Sequence, residues 1–207
     1  MLLFRPVGLE ELRLVYDAAM RAFPPRLPDQ PIFYPVLNED YAAQIARDWN
    51  TKSGTRAGFV TRFEVEDAYV GRFERQVVGG REHEELWVPA EDLDTFNSNI
   101  RDQIVVTQAF FGNDYQGFVP DSFGLSGKSA RQQFAALAKM LTRSGTDFAV
   151  EIASSHRATF LNFFFWLSED FSPEGIDASQ QAHVIDAIQE AWRKGEHAGV
   201  ALGLVRG

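Results

Sequence analysis

Along the first 111 residues, apolar positions keep two rhythms. Over residues 58–66 they alternate: Phe59, Thr61, Phe63 and Val65 fall on one side, and Val60, Arg62, Glu64 and Glu66 on the other. That period of two predicts a half-buried strand. Residues 2–4 predict a short first strand, closed at Arg5-Pro6 because proline has no donor for a ladder. From Gly8 to about Met20 the spacing becomes helical, with Leu12, Val15, Tyr16 and Ala19 on one face. Residues 32–36 predict an aromatic strand. Asn38 then caps a helix to about Trp49, with Glu39 and Asp40 in its positive first turn and Tyr41, Ala42, Ile45 and Trp49 in one stripe. Residues 69–78 predict a strand or a turn and strand, and residues 83–88 another strand. Pro89 to Leu93 begins a short helix or turn, and residues 102–111 form a last β run.

The rhythm breaks over residues 112–127. Beyond it, Ser129-x-x-Gln132 has the form of a capping box. It opens a helix to about Ser144, with Phe134, Leu137, Ala138 and Leu141 inward. Residues 147–153 predict a strand. Residues 160–167 are so apolar that periodicity cannot separate a buried strand from a buried helix, and their aromatics favour a strand. Asp177 or Ser179 caps a helix to about Lys194, with Val184, Ile185, Ile188 and Trp192 inward, and residues 200–205 predict a final strand. The fold class is therefore α+β: residues 1–111 form one domain, and residues 112–207 a smaller α/β segment whose role the pattern leaves open.

Composition narrows the function classes. The chain is 45% hydrophobic and 13% aromatic, enough for a real core. Its net charge is −9 and no segment gathers lysine and arginine, so double-stranded nucleic acid is not expected as a partner. The absence of cysteine excludes disulfides, thiolate metal sites and cysteine nucleophiles, and fits a reducing compartment. The opening residues lack the apolar core of a signal peptide, and the 160–167 run is too short to cross a bilayer. A cytoplasmic protein without membrane contact is expected.

The chemistry concentrates in residues 79–89. Two glycines release the chain, a charged run follows, and a short apolar strand ends at Pro89. His83 and Glu85 are two apart, so in an extended strand they share one face, with Glu82, Glu84 and Leu86 on the other. A histidine beside a carboxylate is a candidate reactive pair.

Several stretches then carry a resemblance: Phe4-Arg5-Pro6-Val7-Gly8, residues 23–38 through Phe33-Tyr34-Pro35, Tyr41-Ala42, Asp48-Trp49-Asn50, residues 58–65, and His83-Glu84-Glu85-Leu86-Trp87-Val88-Pro89. Residues 2–111 resemble the ADP-ribosyltransferase fold, and more narrowly the short bacterial proteins known as ADP-ribosylation/crystallin J1 proteins. The resemblance implies NAD-dependent mono-ADP-ribosyl transfer, with NAD as substrate and an acceptor that the motifs do not name. It places Arg5 on the first-strand position that holds the diphosphate or ribose. Phe33 or Tyr34 would stack on nicotinamide, and Glu85 takes the catalytic position. His83 stands where a helper glutamate is usual, and Phe33-Tyr34-Pro35 replaces the usual Ser-Thr-Ser. The implied carboxylate stabilises the oxocarbenium-like charge as the nicotinamide–ribose bond breaks, while His83 orients Glu85 or acts on the incoming nucleophile.

Other chemistries fit less well. ADP-ribosyl hydrolases resemble all-helical proteins with paired aspartates on two magnesium ions, a pattern missing here. There is no Gly-x-Ser-x-Gly elbow around Ser126, and His83, His156, His183 and His197 have no zinc-ligand spacing. The rival from another class is a non-catalytic module that binds a nucleotide or a protein, for instance in a toxin–immunity or defence setting.

Overall fold

The structure, a computed structural model, describes residues 1–80 and 83–205. Its chain forms two compact units, one of Met1–Tyr115 with Leu204 and Val205, the other of Gln116–Gly203. Among the described residues the first unit holds every strand and the second is helical, so the class is α+β as the pattern predicted.

In the first unit, β1 (Leu2–Val7), β3 (Ala57–Glu64) and β7 (Val105–Phe111) form an antiparallel sheet with β3 central. Between β1 and β3 lie α1 (Leu9–Asp17), β2 (Ile32–Phe33) and α2 (Glu39–Asp48). After β3 come α3 (Asp67–Val70), the hairpin of β4 (Arg75–Val77) and β5 (Glu84–Leu86), β6 (Val88–Pro89) and α4 (Leu93–Ser98). β1 does not stop at Arg5-Pro6. It continues to Val7, since Pro6 needs no donor at its place opposite Val60. The expected strand over residues 32–36 shrinks to Ile32–Phe33, paired with β6, while Val36 bridges Phe4 on one side and Glu85 on the other.

The sheet is covered on both faces, which corrects the half-buried reading of β3. Val60 is as buried as Phe59, because α2 lies over it. Phe4, Val36, Ala42, Ala43, Ala46 and Val60 form that layer. The close approach needs small residues: a Cβ on Gly58 would collide with the Ala46 carbonyl. The helix therefore turns its alanines inward, and Trp49, expected on the inner stripe, is 68% exposed. On the other face Phe23, Phe33, Phe63 and Phe96 pack ring to ring. The first helix ends earlier than its apolar spacing suggests. Ala19 and Met20 both take positive φ (54° and 57°), so Ala19 leaves the inner face and is exposed while Met20 turns into the core.

Beyond residue 116 three expected strands are corrected. Residues 147–153 lie in α6 (Gly145–Ser154), and the 160–167 run lies in α7 (His156–Ser168). Residues 200–205 form no strand among the described residues. α5 (Ala130–Arg143) and α8 (Ala178–Lys194) start at the predicted caps, each with a complete capping box, from Ser129 and Gln132 and from Asp177 and Gln180. Nine consecutive residues of α7, Ala158 to Trp166, are buried, so the other helices surround it and no polar stripe survives to mark its period.

Candidate functional site

Glu85 sits in β5 beside Val36, half-buried, and both its carboxylate oxygens are held. The Tyr41 hydroxyl donates to Oε1 at 3.0 Å, and the Trp87 indole N–H donates to Oε2 at 3.3 Å. Trp87 is two residues along, on the same side of the extended chain, and the period of two could have found it. Tyr41 comes from α2, 44 residues away in sequence, and only the packing of α2 brings it there. Burial and the adjacent carboxylate push the Tyr41 hydroxyl up to about 12.

The His83 ring stacks on Tyr41, with centroids 4.1 Å apart and planes 12° from parallel. His83 and Glu85 therefore meet one tyrosine, the ring on one and the hydroxyl on the other. His83 Nδ1 lies 3.4 Å from the Gly80 amide and 3.2 Å from the Val78 carbonyl, inside the β4–β5 turn. The alternation that set Glu82 opposite His83 involves a position outside the described residues. Beside Glu85, the exposed ring of Trp87 meets the exposed ring of Tyr34 edge to face at 5.8 Å.

The other two residues singled out in the sequence have different surroundings. Phe33 is fully buried between Phe23 and Phe96, so it has no free face for a nicotinamide. Arg5 is 7% exposed. Its Nε and Nη2 donate to the two Glu11 oxygens at 2.7 and 3.2 Å, its Nη1 donates to the Tyr34 carbonyl at 3.1 Å, and the guanidinium lies 4.5 Å over the Phe33 ring. The fork is spent inside the fold, and a second cation, Arg26, stands 3.8 Å from Glu11.

The candidate site thus consists of Glu85, Tyr41, Trp87, Tyr34 and His83. An oriented carboxylate next to two exposed aromatic rings suits a hydroxyl-bearing ligand with a flat ring. Among the described residues no cluster of histidines and carboxylates could hold a metal ion, and no helix is long and apolar enough to cross a membrane. Comparison with known proteins returned nothing: no family model, no curated protein and no solved structure matches the chain.

Proposed function

We propose that residues 1–115 form a nucleotide-binding module that holds a ribose through Glu85, with NAD as the ligand its chemistry suits. The observation that carries this reading is the double hold on Glu85 by Tyr41 and Trp87. Each carboxylate oxygen accepts one protein hydrogen bond and keeps lone-pair capacity for a ribose hydroxyl. Tyr34 and Trp87 offer the apolar face that a base or nicotinamide ring needs. Arg5 has no part in this reading, because its guanidinium is already satisfied.

Transfer is the stronger form of the same proposal, favoured by the resemblance of residues 83–89. The C1′–nitrogen bond breaks, nicotinamide leaves with the electron pair, and Glu85 steadies the positive charge left on the ribose. The acceptor then bonds to C1′ and gives up its proton to His83, the base stacked on Glu85's tyrosine.

The test is NAD titration by calorimetry on the wild type and on Glu85→Gln, with nicotinamide release followed in parallel. Glu85→Gln is expected to weaken binding about ten-fold, near the ~1.4 kcal/mol of one charged hydrogen bond. Binding without release supports the module, and release that Glu85→Gln abolishes supports the transferase. Absent binding at millimolar NAD overturns both.

A further inference from the structure

Between α5 and α8 in the second unit runs a groove of about 290 Å³. Its floor is Ile176 and Val184, both buried, and its wall is Ala138 and Leu141 on α5. α5 lines it with the small side chains of Ala135 and Ala138. Three ionisable side chains reach the lining: Lys139, His183 and Glu174. Glu174 is already matched, since both its oxygens accept from Arg131 Nη1, at 3.2 and 3.1 Å. The carboxylate of Asp177, nearby at the start of α8, accepts from the Gln180 amide as the helix cap. Lys139 and His183 are exposed and have no side-chain partner among the described residues. In a chain of net charge −9, the unmatched charge at this mouth is positive.

We propose that this groove binds a small carboxylic acid with an apolar body, such as a medium-chain fatty acid. The apolar part lies along Ile176 and Val184, and the carboxylate meets the Lys139 ammonium, with His183 as a second donor. The volume lies at the small end of ligand pockets, which start near about 300 Å³, and suits a compact monoacid better than a nucleotide or a peptide helix. An ammonium at the edge of an apolar slot favours an anion over its neutral counterpart by the modest amount that an exposed pair supplies. The site is independent of Glu85.

The test is calorimetric titration of the full chain with sodium octanoate at neutral pH, and with 1-octanol as the uncharged probe. Octanoate is expected to bind saturably at one site, about three- to five-fold more tightly than octanol. Lys139→Met should lower octanoate to the level of octanol and leave octanol unchanged, and Ala138→Leu should abolish both. Lys139→Met changes an exposed side chain and keeps the fold, so it carries the test even if Ala138→Leu disturbs packing. Equal affinity for the two probes, octanoate binding untouched by Lys139→Met, or no saturable binding overturns the assignment.

Discussion

Arg5 and Glu85 point to opposite faces of the strand layer. Phe4 pairs with Val36, and Val36 pairs with Glu85, so those three side chains form one cross-strand row on the α2 face. Arg5 is the next residue along β1 and points the other way, onto Phe33 and Glu11. A ligand held by Glu85 therefore does not reach the Arg5 guanidinium.

That separation predicts how Arg5→Ala behaves. It leaves Glu11, 22% exposed, without its bidentate partner, and the loss of a buried pair costs about 3–5 kcal/mol. Arg26 remains near Glu11 and softens the loss, so urea unfolding is expected to show about 2–3 kcal/mol of destabilisation. NAD affinity, corrected for the folded fraction, should stay at the wild-type value. A specific loss of affinity would return Arg5 to the site.

Tyr41 sets a pH dependence. Its hydroxyl is raised from 10.0 to about 12 in the fold, by burial first and then by Glu85. For an acid raised on folding, the folded state holds its proton longer than the unfolded chain. The contribution to stability is therefore complete below pH 10 and is lost as pH rises from 10 towards 12. Burial raises Tyr115 as well, with the same sign. Ultraviolet absorbance titration should show these tyrosines ionising late. Glu85→Gln should bring Tyr41 down only part of the way, because the burial remains.

Gly58 fixes α2 against β3, and through α2 it places Tyr41 on Glu85. Gly58→Ala would drive a methyl into the Ala46 carbonyl, which is backbone and cannot rotate aside. Overpacking of this kind costs about 1–3 kcal/mol, and the upper end is expected here. NAD affinity should fall with it as Tyr41 is displaced, whereas Gly54→Ala, which meets open space and strains only its own backbone at φ +51°, should leave affinity alone.

The sequence patterns carried the first unit further than the second. Strand alternation at Phe59–Phe63 and the caps at Asn38, Ser129 and Asp177 are local signals, and they predicted elements that formed. The 160–167 run carries no period because it is buried all round, and there the aromatic bias towards strand misled. Residues 147–153, expected as a strand, lie in α6 although a local helix signal stands just before them: Ser144 caps the helix through the Asp147 amide. At the site, Glu85 and His83 could be placed on one side from their spacing, but Tyr41 could not, since no local pattern links residues 44 apart.

Glu151 offers the sharpest check on the second unit, and it lies in the very segment whose pattern suggested a strand. In α6 this residue is 8% exposed, and its carboxylate ties three donors together: the Gly124 amide at 2.9 Å, the Leu125 amide at 3.1 Å and the Ser155 hydroxyl at 2.6 Å. An extended chain would not bring Ser155, four residues on, to the same carboxylate, whereas one turn of helix does. Glu151→Gln keeps the shape but turns one acceptor into a donor facing a donor, for about 1–3 kcal/mol. Glu151→Leu leaves all three donors unmet and should cost about 3 kcal/mol or more. Hydrogen exchange at Gly124 and Leu125 locates the effect: these amides should lose protection in Glu151→Leu before the α8 core around Ile188 does. Uniform loss across the unit would mean that Glu151 supports the whole bundle rather than the loop it holds.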